Sequence, residues 1–102
     1  MNLHLRPAAV GDLHAARKYY EEARPGLGEE LADDLDHLFA RLLVFPLSAP
    51  TVAGYEPVRR ARLRRFPYQV FYRADEENID ILRIVHIARS PETWRTGTAQ
   101  SY

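Results

Sequence analysis

Arginine is concentrated in one short stretch of this sequence, residues 59–65. Five of these seven residues are arginine, although the chain of 102 residues has a formal net charge of zero. A guanidinium group binds carboxylates and phosphates through a planar pair of N–H donors. Residues 66–73, which follow directly, are typical of a strand. A packed sheet would hold the arginine side chains of residues 59–65 in a fixed direction, toward a partner. The sequence predicts a binding site for an anion or an acidic partner, formed by Arg59, Arg60, Arg62, Arg64, Arg65 and Arg73.

A strand places alternate side chains on opposite faces, which divides the arginine run into two sets. Ala61 and Leu63 are apolar, so their face is expected to turn toward the core. The arginines of the other face would project outward as a ladder of like charges: Arg60, Arg62 and Arg64. Acidic side chains such as Glu76 or Asp80, or an acidic partner, would have to offset their repulsion. The alternative is a solvated edge strand whose charges prevent aggregation.

A second group of reactive side chains lies around His86. Arg83 and Arg89 are three residues to either side of it, at the end of an apolar strand-like run. Cleavage of RNA needs a base for the 2′-hydroxyl, a cation for the phosphate and an acid for the leaving oxygen. His86 with Arg65, Arg83 and Arg89 has the chemistry for parts of this reaction. The alternative is a structural role, with His86 hydrogen-bonded and Arg83 paired within the fold.

Composition limits the other chemistry that is available. The chain has no cysteine, its four histidines lack the spacing of metal ligands, and it has no glycine-rich phosphate loop. We therefore expect no metal and no cofactor. No apolar run approaches the roughly 20 residues that span a bilayer, and residues 1–7 lack the apolar stretch of a signal peptide. We expect a cytoplasmic protein without a membrane partner.

Charge is distributed unevenly along the chain. Residues 1–57 contain nine acidic and five basic side chains, a net charge of −4, whereas residues 58–102 contain five acidic and nine basic side chains, a net charge of +4. Thirteen of the fourteen basic residues are arginine. A surface polarised in this way favours an oppositely charged partner.

Hydrophobic spacing predicts the first elements that would position these groups. Leu3 and Leu5 alternate with polar residues, which predicts a short strand. Apolar residues at spacings of three and four predict two amphipathic helices, one through residues 10–23 and one through residues 31–45. The proline and glycines of residues 24–28 join them in a short loop, so the two helices form a hairpin.

Three strand-like runs follow the helices, at residues 58–65, 68–73 and 79–87. The short acidic turn between the last two predicts an antiparallel hairpin. The third run is apolar on both faces, which predicts a central strand. Ser90 can cap one helical turn after the last strand. We expect a single domain over residues 1–95 and a flexible tail over residues 96–102.

The predicted fold class is α+β in the order β-α-α-β-β-β. It contains an N-terminal strand, a helical hairpin, a three-stranded antiparallel sheet and a short C-terminal helical turn. The two helices would bury their leucine faces on one side of the sheet. The opposite face of the sheet, or its rim, would remain free to carry function.

Several segments in this order resemble the RelE/ParE toxin superfamily. They are Tyr19-Tyr20-Glu21 in the first helix, Pro-Gly-Leu-Gly at 25–28, Arg-Phe-Pro-Tyr-x-Val-Phe-Tyr-Arg at 65–73 and Ile-Val-His-x-x-Arg at 84–89. The similarity extends from Leu5 to Trp94. It implies the toxin of a type II toxin–antitoxin system, a class associated with plasmid stabilisation. It also implies a cognate antitoxin as partner, whose partly disordered segment folds across the toxin in a hetero-oligomer.

The superfamily divides by mechanism, and the resemblance implies one of two targets. ParE-like members inhibit DNA gyrase, whereas RelE-like members enter the ribosomal A site and cleave mRNA. The lysines typical of the nuclease group are missing here, since Lys18 is the only lysine, and a ribosome-binding nuclease is usually strongly basic. The strand end at residues 83–86 is more similar to ParE-like members.

We therefore expect growth arrest by binding of an essential target, with DNA gyrase as the favoured one. The first alternative is a ribosome-dependent mRNA endoribonuclease, in which His86 would act as acid or base. Arg65, Arg83 and Arg89 would then hold the phosphate. The second alternative is a protein-interaction module without toxicity.

Overall fold

The structure is a computed structural model, and it describes residues 1–88. Its elements are β1 (Asn2–Leu5), α1 (Pro7–Ala23), α2 (Leu27–Val44), β2 (Arg59–Arg62), β3 (Tyr68–Ala74) and β4 (Asn78–His86). The predicted order β-α-α-β-β-β is thereby confirmed. The predicted helical turn at Ser90 and the predicted tail over residues 96–102 lie outside the described residues.

The four strands form one sheet in the order β1-β4-β3-β2. The predicted antiparallel unit is present, since β2 pairs with β3 and β3 pairs with β4. β1 adds a fourth strand, parallel to β4, with Leu3 opposite Ile79 and Leu5 opposite Ile81. β4 is therefore a central strand, which explains why its residues are apolar on both faces.

The helical hairpin covers one face of this sheet. The leucines of α2 that recur at spacings of four and three are all buried: Leu31, Leu35, Leu38 and Leu42. They share one cluster with apolar side chains of α1 and the strands, among them Ala9, Ala16, Ala61, Val70, Tyr72, Ile79, Ile81 and Ile84. Removal of this apolar surface from water is the main force that holds the helices on the sheet.

α2 ends before Phe45, which the apolar spacing places in the buried stripe. The helix ends at Val44, and Phe45 is 62% exposed. Pro46 has no N–H group and disfavours a helical conformation at the residue before it. The helix therefore ends at this point, and the prediction that the second helix extends to residue 45 is wrong.

β2 is shorter than the predicted run over residues 58–65, because a buried carboxylate draws the chain toward α2. Asp34 of α2 is 5% exposed, and its Oδ2 atom accepts the backbone N–H groups of Arg65 at 2.9 Å and Phe66 at 3.1 Å. These N–H groups are thereby bonded to α2 rather than to a strand. The prediction that β2 continues to Arg65 is wrong, and the strand ends at Arg62.

The face of the sheet opposite the helices is not bare. Val58, Phe71, Leu82 and Val85 form a second cluster there, each no more than 2% exposed, and Val52 packs against it. Of the two locations expected to be free for function, the face or its rim, the face itself is therefore not free. Apolar residues on both faces of the central strands require cover on both sides.

A β-bulge changes the alternation of β4 along its length. The register places Phe71 opposite Arg83 but Tyr72 opposite Ile81, so one residue of β4 is left over between them. Beyond this bulge the faces of β4 are exchanged. Ile84 consequently joins Ile81 on the helix side, two positions that strict alternation would separate.

Candidate functional site

Four arginines surround the grooves between α2 and the edge strand β2. We call them the arginine surface: Arg41, Arg60, Arg62 and Arg64. The three from the β2 region are exposed, whereas Ala61 and Leu63 between them are buried in the core. This confirms the two faces that the alternating sequence predicts.

The arginine surface borders two concave grooves. The first has a volume of about 400 Å³, an apolar floor that includes Leu42, Phe45 and Ala61, and Arg41, Arg60 and Arg62 among its lining residues. The second, of about 360 Å³, lies alongside α2 and includes His37 and Arg64. An apolar floor with a cationic rim is complementary to a segment that carries both apolar and acidic side chains.

The arginine surface is without ion-pair partners among the described residues. None of the ion pairs within residues 1–88 involves its four arginines. Asp34 lines the second groove, but its Oδ2 atom already accepts two backbone N–H groups. The ladder of like charges is thus held without an ion pair from the described part of the chain, and an acidic partner would relieve its repulsion.

Arg59, also predicted to bind a partner, anchors the loop that walls the first groove. Its guanidinium donates to the carbonyl oxygens of Leu47 at 3.3 Å and Ala49 at 2.7 Å. The hydroxyl of Tyr72 donates to the carbonyl oxygen of Pro46 at 2.9 Å, and burial raises the pKa of Tyr72. These bonds from the sheet hold the loop after α2 in place.

Arg65 and Arg73 lie next to acidic side chains of the fold. Arg65 Nη2 is 2.6 Å from Glu30 Oε1, and Arg24 Nη2 is 3.0 Å from the other oxygen of Glu30. The hydrogen bonds from Arg65 and then Arg24 lower the pKa of Glu30. Arg73 faces Asp80 across the ladder of β3 and β4. Their role toward a partner stays a prediction.

Two of the four residues predicted for RNA cleavage, Arg65 and Arg83, are paired with carboxylates within residues 1–88. Arg83 donates to both carboxylate oxygens of Asp12, at 2.7 and 2.9 Å, and this bonding raises the pKa of Arg83. Arg65 lies in the connection between β2 and β3, and its guanidinium is paired with Glu30. Arg89 lies outside the described residues.

His86 is held by two contacts at the end of β4. Its Nδ1 atom accepts the backbone N–H of Ala88 at 3.1 Å, and its ring meets the ring of Tyr68 edge-to-face at 5.2 Å. A neutral imidazole whose Nδ1 accepts a hydrogen bond carries its proton on Nε2. These contacts agree with the structural alternative for His86, and its catalytic role stays a prediction.

Two acidic residues that position these groups were missed by the sequence analysis, Asp12 and Asp34. Each lies on a helix and accepts backbone N–H groups from residues far along the chain. A signal was present for Asp34, which lies three residues after Leu31 and four before Leu38, within the buried stripe of α2. An acid on such a stripe requires a buried hydrogen-bond partner.

Residues 1–88 contain no cluster of three or more side chains that could hold a metal ion. No helix in the same residues combines the length and apolar character needed to cross a membrane. The features that remain are the grooves, the exposed arginines and the loop that frames them. The fold defines a small α+β protein with a cationic surface around apolar grooves at the β2 edge of its sheet.

Residues 3–91 match the family described as the ParE toxin of the type II toxin–antitoxin system parDE. The chain belongs to this family, and so to the RelE/ParE toxin superfamily that its sequence resembles. No curated protein matches it in sequence.

Two solved structures are similar in fold. One is the chromosomal ParDE toxin–antitoxin system from P. aeruginosa, with a TM-score of 0.73 and 26% identity over 85% of this chain and 96% of that chain. The other is the toxin–antitoxin complex RelBE2 from Mycobacterium tuberculosis, with a TM-score of 0.58 and 26% identity over 86% of this chain and 92% of that chain.

Proposed function

We propose that this protein is a growth-arresting toxin that binds DNA gyrase, and that a cognate antitoxin neutralises it by covering the arginine surface. Membership of the ParE toxin family supports the first part, because ParE-like members act on gyrase. The higher TM-score to the ParDE structure than to the RelBE2 structure also favours this side of the superfamily.

The observation that carries the antitoxin interface is a rim of arginines without ion-pair partners among the described residues, around an apolar floor. Arg60 and Arg62 flank Ala61, and the groove beside them continues to the exposed ring of Phe45. An extended or helical antitoxin segment would place apolar side chains on this floor and carboxylates against the guanidinium groups. Such pairing adds specificity and speeds association.

Gyrase is favoured over the ribosome by the contacts of the candidate nuclease residues. Arg83 donates to Asp12 and Arg65 donates to Glu30, so both guanidinium groups have carboxylate partners in the fold. The formal net charge of zero also differs from the strongly basic character that ribosome binding favours.

The target can be tested with the purified protein and two assays in parallel. We expect it to inhibit supercoiling by DNA gyrase, or to trap cleaved plasmid DNA, and to leave mRNA intact in a purified translation system. Cleavage of mRNA that is abolished in His86→Asn, with gyrase unaffected, would instead establish the endoribonuclease. A chain that does neither and does not slow growth would be an interaction module.

The antitoxin interface can be tested with two matched charge reversals. Arg62→Glu changes a guanidinium that borders the apolar groove, and Lys18→Glu makes the same charge change on exposed α1. We expect Arg62→Glu to lower the affinity for the cognate antitoxin by at least about tenfold, because it removes a charge pair at the interface. Similar affinities for both variants would rule out the arginine surface as the interface.

A further inference from the structure

The two grooves beside the arginine surface differ in the chemistry of their walls. The first, which we call the apolar groove, has Leu42, Phe45 and Ala61 in its floor. The second, which we call the polar groove, is lined by ionisable side chains of α2 and of the segment after β2: Asp34, His37, Arg41, Arg64 and Arg65. A ligand that fills both grooves therefore needs an apolar part and a charged part.

The apolar groove and the polar groove lie next to each other along α2. Arg41 lines both of them, and a recess of about 10 Å³ brings Arg62 of the apolar groove next to His37 of the polar groove. His37 and Phe45 are eight residues apart, which corresponds to about 12 Å along a helix axis. One segment of a partner spans this distance with about eight residues if it is helical, or about four if it is extended.

The polar groove offers hydrogen-bond donors to a carboxylate. None of the ion pairs within residues 1–88 involves His37, Arg41 or Arg64. Asp34, the one acidic residue of the lining, uses its Oδ2 atom to accept two backbone N–H groups. Guanidinium groups and a protonated imidazole both donate charge-assisted hydrogen bonds to carboxylate oxygens. The groove is therefore suited to an acidic side chain of another protein.

Other charges on α2 favour a protein as the ligand over a nucleic acid or a second copy of this chain. Glu29, Asp33 and Asp36 are exposed on the same helix as His37. These carboxylates would repel a continuous chain of phosphates, whereas a short acidic motif needs cations at the groove alone. A two-fold contact with a second copy would set the arginine surface against itself, so that like charges oppose each other. A short acidic motif in a partner protein is the occupant that these charges favour.

We propose that one antitoxin segment binds both grooves, with acidic side chains in the polar groove and a large apolar side chain in the apolar groove. This assignment rests on the antitoxin interface proposed above and adds its two contact points and the spacing between them. In the complex the imidazole of His37 is protonated and donates to a carboxylate of the antitoxin. Arg41 and Arg64 donate to the same acidic side chains.

The protonation of His37 gives the proposed contact a measurable pH dependence. The charged groups around His37 come from α2 and from the β2 region: Asp33, Asp34, Arg41, Arg62, Arg64 and Arg65. Of these residue types and histidine, only histidine ordinarily changes its charge between pH 5 and 8. A carboxylate that the antitoxin brings to the imidazole favours its charged form. Binding near neutral pH therefore takes up a proton, and the affinity rises as the pH falls from 8 to 6.

The two contact points can be separated by titrating the cognate antitoxin into variants of the full chain at several salt concentrations. We expect Phe45→Ala to lower the affinity at least about tenfold with an unchanged salt dependence, because it removes an apolar contact. Arg64→Gln should lower the affinity at least about fivefold and make it less sensitive to salt, because it removes a charged contact. Lys18→Gln is the control, and all three positions are exposed, so the urea midpoints should stay close to that of the parent chain.

The role of His37 can be tested by measuring the same affinity at pH 6 and at pH 8. We expect the parent chain to bind the antitoxin at least about threefold more tightly at pH 6. His37→Gln should lose this difference, because glutamine does not titrate. His14→Gln, at an exposed position of α1, is the matched control and should keep the difference. A pH response that persists in His37→Gln would remove His37 from the contact.

Other outcomes of these titrations would overturn the two contact points. If Arg62→Glu weakens the antitoxin but Phe45→Ala or Arg64→Gln does not, the antitoxin interface stands and its division between the grooves is wrong. Self-association that Phe45→Ala abolishes would assign the apolar groove to a second copy. A single-stranded oligonucleotide that displaces the antitoxin and requires Arg64 would assign the polar groove to a nucleic acid. An antitoxin that does not bind the parent chain would refute the proposed function itself.

Discussion

Asp12 and Arg83, 71 residues apart, form the most enclosed ion pair in residues 1–88, with side chains 12% and 13% exposed. Asp12 also accepts the N–H of Ile84, at a point of β4 that β1 no longer covers. The carboxylate of Asp12 on α1 therefore neutralises the guanidinium of Arg83 and accepts a backbone N–H at the edge of the sheet. This contact fixes α1 against β4.

Removal of the Asp12 charge is expected to destabilise the fold strongly. Asp12→Asn keeps an oxygen that can accept the N–H of Ile84 but removes the carboxylate charge that faces the enclosed guanidinium of Arg83. We expect the free energy of unfolding, measured with urea, to fall by about 3 kcal/mol.

Glu29→Gln is the matched control for the Asp12 substitution. It removes the partner of Arg17 in a pair whose side chains are 44% and 68% exposed, and should cost about 0.5 kcal/mol or less. Equal losses of unfolding free energy in Asp12→Asn and Glu29→Gln would contradict the expectation that the enclosed ion pair contributes more to stability than the exposed one.

Two glycine substitutions are expected to have opposite effects on stability. A Cβ atom at Gly28 would lie 2.8 Å from the carbonyl oxygen of Arg17 and 3.0 Å from Glu21 Oε1, so Gly28→Ala must displace α1 from α2. We expect a loss of about 2 kcal/mol. At Gly11 a Cβ would meet nothing within 4 Å, and Gly11→Ala should add about 0.5–1 kcal/mol through helix propensity. If the midpoint of thermal unfolding shifts in the same direction for both variants, the close approach of α1 to Gly28 is disproved.

The stability of the fold is expected to decrease at alkaline pH through Tyr72. Burial raises the pKa of Tyr72 above 10.0, so its contribution is complete below the unfolded pKa and is lost as the pH rises through the folded one. Tyr72→Phe lacks the hydrogen bond to Pro46 and should be about 1 kcal/mol less stable near neutral pH. That difference should shrink above about pH 10. Urea midpoints across this range measure it, and a constant difference would refute the effect.

Asp34 is expected to be required for the conformation that follows β2. Asp34→Ala leaves the N–H of Phe66 without its acceptor in a buried position, and should cost about 2–3 kcal/mol. Asp33→Ala, on the exposed side of the same helical turn, should change the free energy of unfolding by less than about 0.5 kcal/mol. Amide exchange at Arg65 and Phe66 would locate the effect, and normal protection in Asp34→Ala would contradict it.

The elements of this fold could be predicted from the sequence because their signals are local. The leucines of α2 repeat with the helical period, which predicts a helix with one buried face. β4 is apolar on both faces, which predicts a central strand. Alternation likewise separated Ala61 from its arginine neighbours correctly. The order of elements and the helix-covered face follow from these patterns, since each element must bury its apolar side.

The site required the tertiary structure because its contacts join distant residues. Strict alternation would place Arg83 on the same face as Ile81, but the bulge between them reverses the faces of β4. Whether an arginine is engaged or open is decided by partners far along the chain, such as Asp12 for Arg83 and Glu30 for Arg65. The sequence by itself determined the helices, the strands and the segregation of charge. Only packing, which brings residues 71 positions apart into contact, decided which guanidinium groups remain available to a partner.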